Sequence, residues 1–311
     1  MRVVGVQEFG GPEALAVQEV AEPHAGPGEV RIRVRAATVN PTDTGFRSGR
    51  SAAALEGRTP PHVPGMEAAG EVDEVGEGAT YAVGDRVMAI ALPTGPHGGA
   101  YAEELVVPDR SVAPAPRELT TAQAATVPMN GLTAYAVLAE LALEEGQTLA
   151  VTGAAGALGG YVVQLAKVAG LRVVADASAP DEPLLHELGA DVVVRRGPDV
   201  AERIRAVVPD GVHGLLDASL QTDQVVPAIA DGGAMAVVRG WDGDPGRGIT
   251  VHRIQVARYA ERQDLLDELR RDVEAGVLTP RVARTFPADR AAEAHRQLEA
   301  GGTRGRLVLL F

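Results

Sequence analysis

The feature that most constrains the fold is a glycine-rich turn between an apolar strand and an amphipathic helix. Residues 149–152 read as a short buried strand, and the chain continues as GAAGALGG from position 153 to position 160. In such a turn Gly156 would let the backbone approach a pyrophosphate, and Gly159 would allow close contact between helix and strand. Tight turns also use glycine for steric reasons alone. The strand–turn–helix context nevertheless predicts a dinucleotide-binding unit.

The pattern on either side of this turn divides the chain. Residues 121–257 alternate strand and helix patterns, which predicts a parallel sheet with right-handed crossovers. Residues 1–110 instead show short strands separated by Gly and Pro, such as the period-two segment 30–35. Two amphipathic helices and a strand at 305–310 close the chain, and periodicity alone does not assign that strand. A length of 311 residues suits two domains.

An acidic residue close to the turn is a candidate ribose ligand. Asp176 lies 176 − 159 = 17 residues after Gly159, near the end of the next predicted strand, where an acid that binds the ribose is expected. The same position also suits a residue that faces solvent. The spacing therefore leaves NAD and NADP open.

Composition excludes several classes of protein. With no cysteine, the chain has no disulfide, no cysteine nucleophile and no thiolate metal site. A formal net charge of −13 argues against nucleic acid as a partner, because phosphate binding needs a basic face. No apolar run is long enough to span a bilayer, and no leader pattern precedes the first strand. We expect a cytoplasmic protein that is not bound to membranes.

Several motifs together resemble one family. They are FGGPE at 9–13, NPTD at 40–43, PGMEAAG at 64–70, VGDRV at 83–87, NGLTA at 130–134, the glycine turn, and LGAD at 188–191. On these the chain resembles the medium-chain dehydrogenase/reductase superfamily, in its zinc-independent quinone oxidoreductase (zeta-crystallin-like) branch. The resemblance implies an α/β fold: a GroES-like β domain, discontinuous over 1–120 and 258–311, and a Rossmann domain with a doubly wound parallel sheet over 121–257.

The resemblance also bears on metal and catalysis. Zinc-dependent relatives bind their catalytic metal at positions that here hold Asn40, Met66 and Met129, and an amide with two thioethers is a poor zinc donor set. We therefore expect no metal. Hydrogen-bond donors must then stabilise the developing enolate oxygen, and the candidates are Asn40 and, less strongly, Arg47. Either residue could instead be structural.

Cofactor and substrate residues are expected from the same resemblance. The cofactor candidates are Thr133, Ala155, Gly156, Ala157, Leu158, Asp176, Ser178, Arg195, Arg196, Val238 and Arg239. Asp181 stands where relatives that prefer NADPH usually have a lysine, but the Arg195–Arg196 pair suits a 2′-phosphate, so we expect NADP(H) more than NAD(H). Phe46, Met129 and Trp241 would form an apolar wall for a flat substrate, unless they only pack in a core.

The implied activity is NAD(P)H-dependent hydride transfer to a quinone or an α,β-unsaturated carbonyl. Two alternatives remain open: an enoyl-thioester reductase of the same family, and a non-catalytic nucleotide-binding or crystallin-like protein. A homodimer is expected from the resemblance only.

Overall fold

The structure is a computed structural model that describes every residue from Met1 to Phe311. The chain divides into two compact units. The first unit comprises Met1–Met129, Ala257–Gly276 and Pro280–Phe311, and the second comprises Asn130–Val256 and Val277–Thr279. No helix is both long enough and apolar enough to cross a membrane.

The first unit is built around an antiparallel sheet. Its strands and helices are β1 (Arg2–Val6), β2 (Leu15–Glu19), β3 (Glu29–Val39), α1 (Pro41–Arg47), β4 (Glu67–Val75), β5 (Arg86–Ile90), β6 (Glu104–Pro108), β7 (Val112–Pro114), α2 (Thr121–Ala124), α7 (Gln263–Glu274), β14 (Val282–Pro287), α8 (Ala291–Ala300) and β15 (Arg306–Leu310). The sheet has the order β14-β15-β3-β4-β5-β7, with β6 also paired to β3, while β1 and β2 form a separate ribbon.

Strand β3 shows why this sequence forms a sheet. Along it, buried Val30, Ile32 and Val34 alternate with more exposed residues, because successive side chains of a strand point to opposite faces. The final strand, which periodicity could not assign, is antiparallel to β3 with Leu307 opposite Val39. The C-terminal segment therefore completes the sheet that the N-terminal segment begins.

The second unit is a six-stranded parallel sheet with helices between its strands. Its elements are α3 (Pro128–Leu141), which begins in the first unit, β8 (Thr148–Thr152), α4 (Ala157–Val168), β9 (Arg172–Ala177), α5 (Glu182–Glu187), β10 (Val192–Arg195), α6 (Val200–Val207), β11 (Val212–Asp217), β12 (Ile229–Val237) and β13 (Thr250–Arg253). The order is β10-β9-β8-β11-β12-β13. Strand β8 lies inside the sheet and is buried along its whole length, as its apolar centre at residues 149–151 predicts.

The unit boundaries differ from those expected at 120/121 and 257/258. Residues 121–129 belong to the first unit because α2 packs on β3, β4 and β14. The break falls between Met129 and Asn130, inside α3, and the chain re-enters the first unit at Ala257. Val277–Thr279 belong to the second unit, where Thr279 exchanges hydrogen bonds with Gln164 of α4 (2.9 and 3.2 Å). A helix that runs through a boundary hides it from pattern analysis.

Candidate functional site

The predicted cofactor residues of the second unit collect at one edge of its sheet. Since all the strands are parallel, the segments after β8, β9, β10, β11 and β12 meet at the carboxyl edge. The glycine turn follows β8, Ser178 follows β9, Arg196 follows β10, and Val238 and Arg239 follow β12. The strand order reverses between β8 and β11, and open α/β sheets bind ligands at such a switch point.

The glycine turn has the shape that its sequence predicts. Gly153 has φ +68°, in the left-handed region that favours glycine. A Cβ on Gly159 would lie 2.5 Å from the Gly153 carbonyl oxygen, so any side chain there would push α4 away from the turn. Gly156 is the N-cap of α4 and has no side chain of its own to cap this helix end. The amide groups of the first helical turn, around Ala157 and Leu158, therefore suit a phosphate.

Asp176 lies at the end of β9 and is buried. Its Oδ1 accepts hydrogen bonds from the backbone N–H groups of Gly153 (2.7 Å) and Ala154 (3.3 Å), while its Oδ2 is buried without a protein partner. Burial raises the pKa of Asp176, and the two backbone hydrogen bonds and the positive charge of Arg196 offset part of that rise. The carboxylate thus fixes the turn and still has one oxygen to accept a ribose hydroxyl. The turn and this oxygen together fit a dinucleotide.

The remaining candidates of the second unit divide into exposed and buried side chains. Arg195 and Arg196 are exposed at the end of β10, and Ser178 donates a hydrogen bond to Asp181 at 2.5 Å. Thr133 on α3 and Ala155 in the turn are buried. Trp241 belongs to the apolar core of this unit.

The first unit holds a buried polar cluster around an ion pair. The Nη2 atom of Arg306 lies 2.7 Å from Oε1 of Glu67, 2.7 Å from Oγ1 of Thr38 and 2.5 Å from Oδ1 of Asn40, and shares its two N–H donors among these oxygens. Thr38 in turn donates to Glu67. The other oxygen of Glu67, Oε2, accepts the backbone N–H of Met129 (2.8 Å), in the first turn of α3. One buried carboxylate therefore neutralises Arg306 and caps the helix that leads into the second unit.

Asn40 and Arg47, the predicted oxygen-stabilising donors, lie at the two ends of α1. The Asn40 side chain is fully buried, and its amide nitrogen donates to Thr38 (3.2 Å) and, weakly, to Glu67 (3.5 Å). Arg47 is 4% exposed and donates through Nη2 to Glu299 of α8 (2.6 Å), while its Nε and Nη1 have no protein partner. Contact of Asn40 with a substrate would require its present hydrogen bonds to open.

A second group of buried polar residues was not singled out from the sequence. Asp43 on α1 accepts the N–H of Asn40 (2.8 Å) and of Gly65 (3.1 Å), and the Tyr101 hydroxyl lies 3.4 Å from Asp43 and 3.1 Å from His295. Burial raises the pKa of Asp43 to about 7 and lowers that of His295 to about 3. Of Asp43, Tyr101 and His295, only Asp43 lies in a motif that the sequence shows, the NPTD segment at 40–43. The contact of Tyr101 with His295 spans 194 positions and leaves no trace in spacing.

Comparisons with known proteins agree with this architecture. A family described as the alcohol dehydrogenase GroES-like domain matches residues 26–117, and one described as zinc-binding dehydrogenase matches residues 188–309. A quinone oxidoreductase of Pseudomonas aeruginosa is 33% identical over 97% of both chains. A 2-methylene-furan-3-one reductase of Solanum lycopersicum is 30% identical over 99% of this chain and 79% of the relative.

Solved structures give the same result. A mycobacterial protein complexed with NADPH is 30% identical, with a TM-score of 0.89 over the full length of both chains. A protein described as an NAD-dependent alcohol dehydrogenase is also 30% identical, with a TM-score of 0.86 over the full length of both. A GroES-like unit joined to a parallel-sheet nucleotide unit defines the class, a pyridine-nucleotide oxidoreductase. The chain belongs to the medium-chain dehydrogenase/reductase superfamily, with the quinone oxidoreductases among its full-length relatives.

Proposed function

We propose that this oxidoreductase is an NADPH-dependent, zinc-independent reductase of quinones or α,β-unsaturated carbonyls. Relatives named quinone oxidoreductase and 2-methylene-furan-3-one reductase support this substrate class. Both names denote reduction of a conjugated carbonyl compound. The shared chemistry is hydride addition to a carbon conjugated with a carbonyl group, followed by protonation.

The proposal that the enzyme works without zinc is supported by the residues of the first unit that stand at the metal-binding positions of zinc-dependent relatives. Asn40, Met66 and Met129 supply one amide and two thioethers, and hard or borderline cations such as Zn²⁺ bind these poorly. In addition, the Asn40 oxygen accepts from Arg306, whose positive charge lies beside Glu67. The Asn40 oxygen, the one hard donor of the three, is therefore already engaged by a guanidinium. The residues present do not fit a catalytic zinc ion.

The cofactor proposal rests on the arginines after β10. Arg195 and Arg196 are exposed at the carboxyl edge of the sheet, where a 2′-phosphate could be held by bidentate hydrogen bonds. The mycobacterial neighbour complexed with NADPH supports the same preference. Asp176 opposes it, because a buried carboxylate near the ribose disfavours a phosphate. Asp181, the other acid, already accepts from Ser178.

When bound, the nicotinamide supplies the hydride. The residues of this chain bind and orient the cofactor through the glycine turn and Asp176, and they hold donors near the reacting carbonyl. We propose that Phe46, Met129 and Trp241 contribute apolar surface for the substrate, and that Asn40 and Arg47 supply hydrogen bonds. The homodimer also stays a prediction, which sedimentation velocity would test.

The experiment that tests the proposal combines turnover with binding. We expect loss of NADPH absorbance with a simple quinone or enone, and no loss of activity after dialysis against a chelator. Arg196→Ala should weaken NADPH binding about tenfold, because it removes a charge-assisted hydrogen bond, and should leave NADH binding unchanged. Arg172→Ala, at the opposite end of β9, is the matched control and should change neither affinity. Unchanged NADPH affinity in Arg196→Ala would show the phosphate assignment to be wrong.

A further inference from the structure

A line of buried polar side chains connects α1 to α8 through the apolar core of the first unit. Asp43 on α1, Tyr101 in the core and His295 on α8 are each fully buried. The Tyr101 hydroxyl lies between Oδ2 of Asp43 (3.4 Å) and Nε2 of His295 (3.1 Å), and the imidazole packs edge-on against the tyrosine ring. Burial of three such groups costs stability unless they share hydrogen bonds. The proposed function does not use Tyr101 or His295.

Two arrangements of the protons pair a donor with an acceptor at both contacts of this line. A tyrosine hydroxyl has one proton and can donate to one neighbour at a time. When Asp43 is ionised, Tyr101 donates to Asp43 and accepts from Nε2–H of His295, so Nδ1 has a free lone pair. When Asp43 is protonated, it donates to the Tyr101 oxygen, Tyr101 donates to Nε2, and the imidazole proton resides on Nδ1. The imidazole is neutral in both arrangements.

The charges around the line keep these two arrangements accessible. Burial raises the pKa of Asp43 to about 7; the positive charge of Arg306 lowers it and the negative charge of Glu67 raises it. Burial, and then the positive charge of Arg47, lower the pKa of His295 to about 3, so this imidazole does not become charged near neutral pH. Tyr101 keeps its proton because burial, and then the charge of Asp43, raise its pKa well above the usual value.

Beyond His295, Arg47 lies close enough for its positive charge to lower the pKa of the imidazole. Nδ1 of His295 and the Nε and Nη1 atoms of Arg47 are all buried without a protein hydrogen-bond partner. Arg47 is held by Glu299, which is the charged group of α8 that it contacts. A guanidinium can only donate, so it complements Nδ1 when Nδ1 is an acceptor and opposes it when Nδ1 carries a proton.

We propose that Asp43, Tyr101 and His295 form one proton-sharing line, in which the proton on Asp43 selects the tautomer of His295 and thereby the placement of Arg47. Tyr101 and His295 are positioning residues in this scheme. A proton that enters at Nδ1 emerges on Asp43 through two successive transfers, from Nε2 to the tyrosine oxygen and from the hydroxyl to Oδ2. No bond to carbon changes and no redox partner is needed. Its consequence for catalysis rests on the proposed function, through Arg47.

The test follows the imidazole directly by ¹⁵N NMR of the whole labelled protein from about one pH unit below 7 to one above. His295, assigned by the loss of its signals in His295→Gln, should pass from the Nδ1–H to the Nε2–H tautomer as the pH rises, without a cationic state. Tyr101→Phe retains the ring and should abolish the transition. Tyr81→Phe is the matched control, since that hydroxyl also bonds within the first unit, to Val112 and Gln263, and should leave the transition unchanged.

Two results would overturn the proposal. One is a wild-type His295 that keeps a single tautomer over this range, and the other is a Tyr101→Phe protein that still shows the transition. A tautomer change in a protein without reductase activity would support the line and reject the proposed function. Reductase activity in a protein whose His295 keeps one tautomer would support the proposed function and reject the proton-sharing line. In an active protein, the pH profile of kcat/KM should show a step near 7 that Tyr101→Phe removes and Tyr81→Phe retains.

Discussion

The two units build their candidate sites in different ways. In the second unit the site consists of backbone groups and of side chains that directly follow strands, and Asp176 bonds a turn only 23 positions away. In the first unit the polar cluster joins the end of β3, the start of β4 and the start of β15, and Arg306 bonds Asn40 across 266 positions. The first kind of site depends on local geometry. The second depends on long-range pairing of charges in an apolar interior.

This difference predicts that the first unit is the more vulnerable to loss of one charge. Arg306→Met leaves Glu67 as a buried carboxylate without its cation, and such a change costs about 3–5 kcal/mol. The double variant Glu67→Gln/Arg306→Met should lose less than the sum of the single variants, because neither partner is then left charged. Urea denaturation measures all three. Additive losses would contradict the assignment of Arg306 and Glu67 as a coupled pair.

The second prediction concerns the pH dependence of stability, in which two groups of the first unit oppose each other. Asp43 has a folded pKa of about 7 against an ordinary 3.8, so the folded state holds the extra proton between these values and stability falls as the pH rises. His295 has a folded pKa of about 3 against an ordinary 6.5, so the unfolded state holds the extra proton and stability rises with pH. Between about pH 4 and 6.5 the two contributions cancel.

Variants separate these contributions. Relative to wild type, Asp43→Asn should gain a rise of about 1.4 kcal/mol per pH unit in the free energy of unfolding, and His295→Gln should show a fall of the same size. Over two pH units the difference reaches about 3 kcal/mol, which urea titrations at three pH values resolve. Parallel pH profiles in wild type and both variants would mean that neither group has a shifted pKa.

The sequence predicted much of the second unit and little of the cluster in the first. The glycine turn and Asp176 follow from local rules, since strand, turn and helix are adjacent in the chain. Glu67 lies in a recognised motif, but its partner Arg306 is one arginine among many, and only the pairing of β15 with β3 brings it close. His295 carries no local signal for the same reason, since its contact with Tyr101 spans 194 positions. The break between the compact units falls inside α3, where the sequence pattern shows no change.

The third prediction tests the local geometry of the second unit. Gly159→Ala places a Cβ 2.5 Å from the Gly153 carbonyl oxygen and 2.6 Å from Cα of Ala154. Backbone cannot yield as a side chain can, so we expect a loss of about 1–3 kcal/mol and weaker NADPH binding. Gly240→Ala is the control for stability, because nothing lies within 4 Å of its Cβ position. Equal stability of the two variants would mean that the turn tolerates a side chain.

The smallest loss of stability is expected on breaking the Lys167–Asp191 pair of the second unit, which has the same 2.7 Å separation as Arg306–Glu67. Lys167, the single lysine, donates to both oxygens of Asp191 (2.7 and 2.9 Å), but the two side chains are 33% and 37% exposed. Water screens this pair. In Lys167→Met the Asp191 carboxylate stays solvated and still accepts the backbone N–H of Val173 (2.7 Å), so its charge is not left without partners.

We therefore expect Lys167→Met to cost less than about 1 kcal/mol, with the cost shrinking as salt is added. The cost of Arg306→Met should not change with salt, since its pair is 6% and 0% exposed. Denaturation of both variants across a salt series makes the comparison. A loss in Lys167→Met as large as that in Arg306→Met would show that burial does not separate the two pairs, and the contrast between the units would then need another cause.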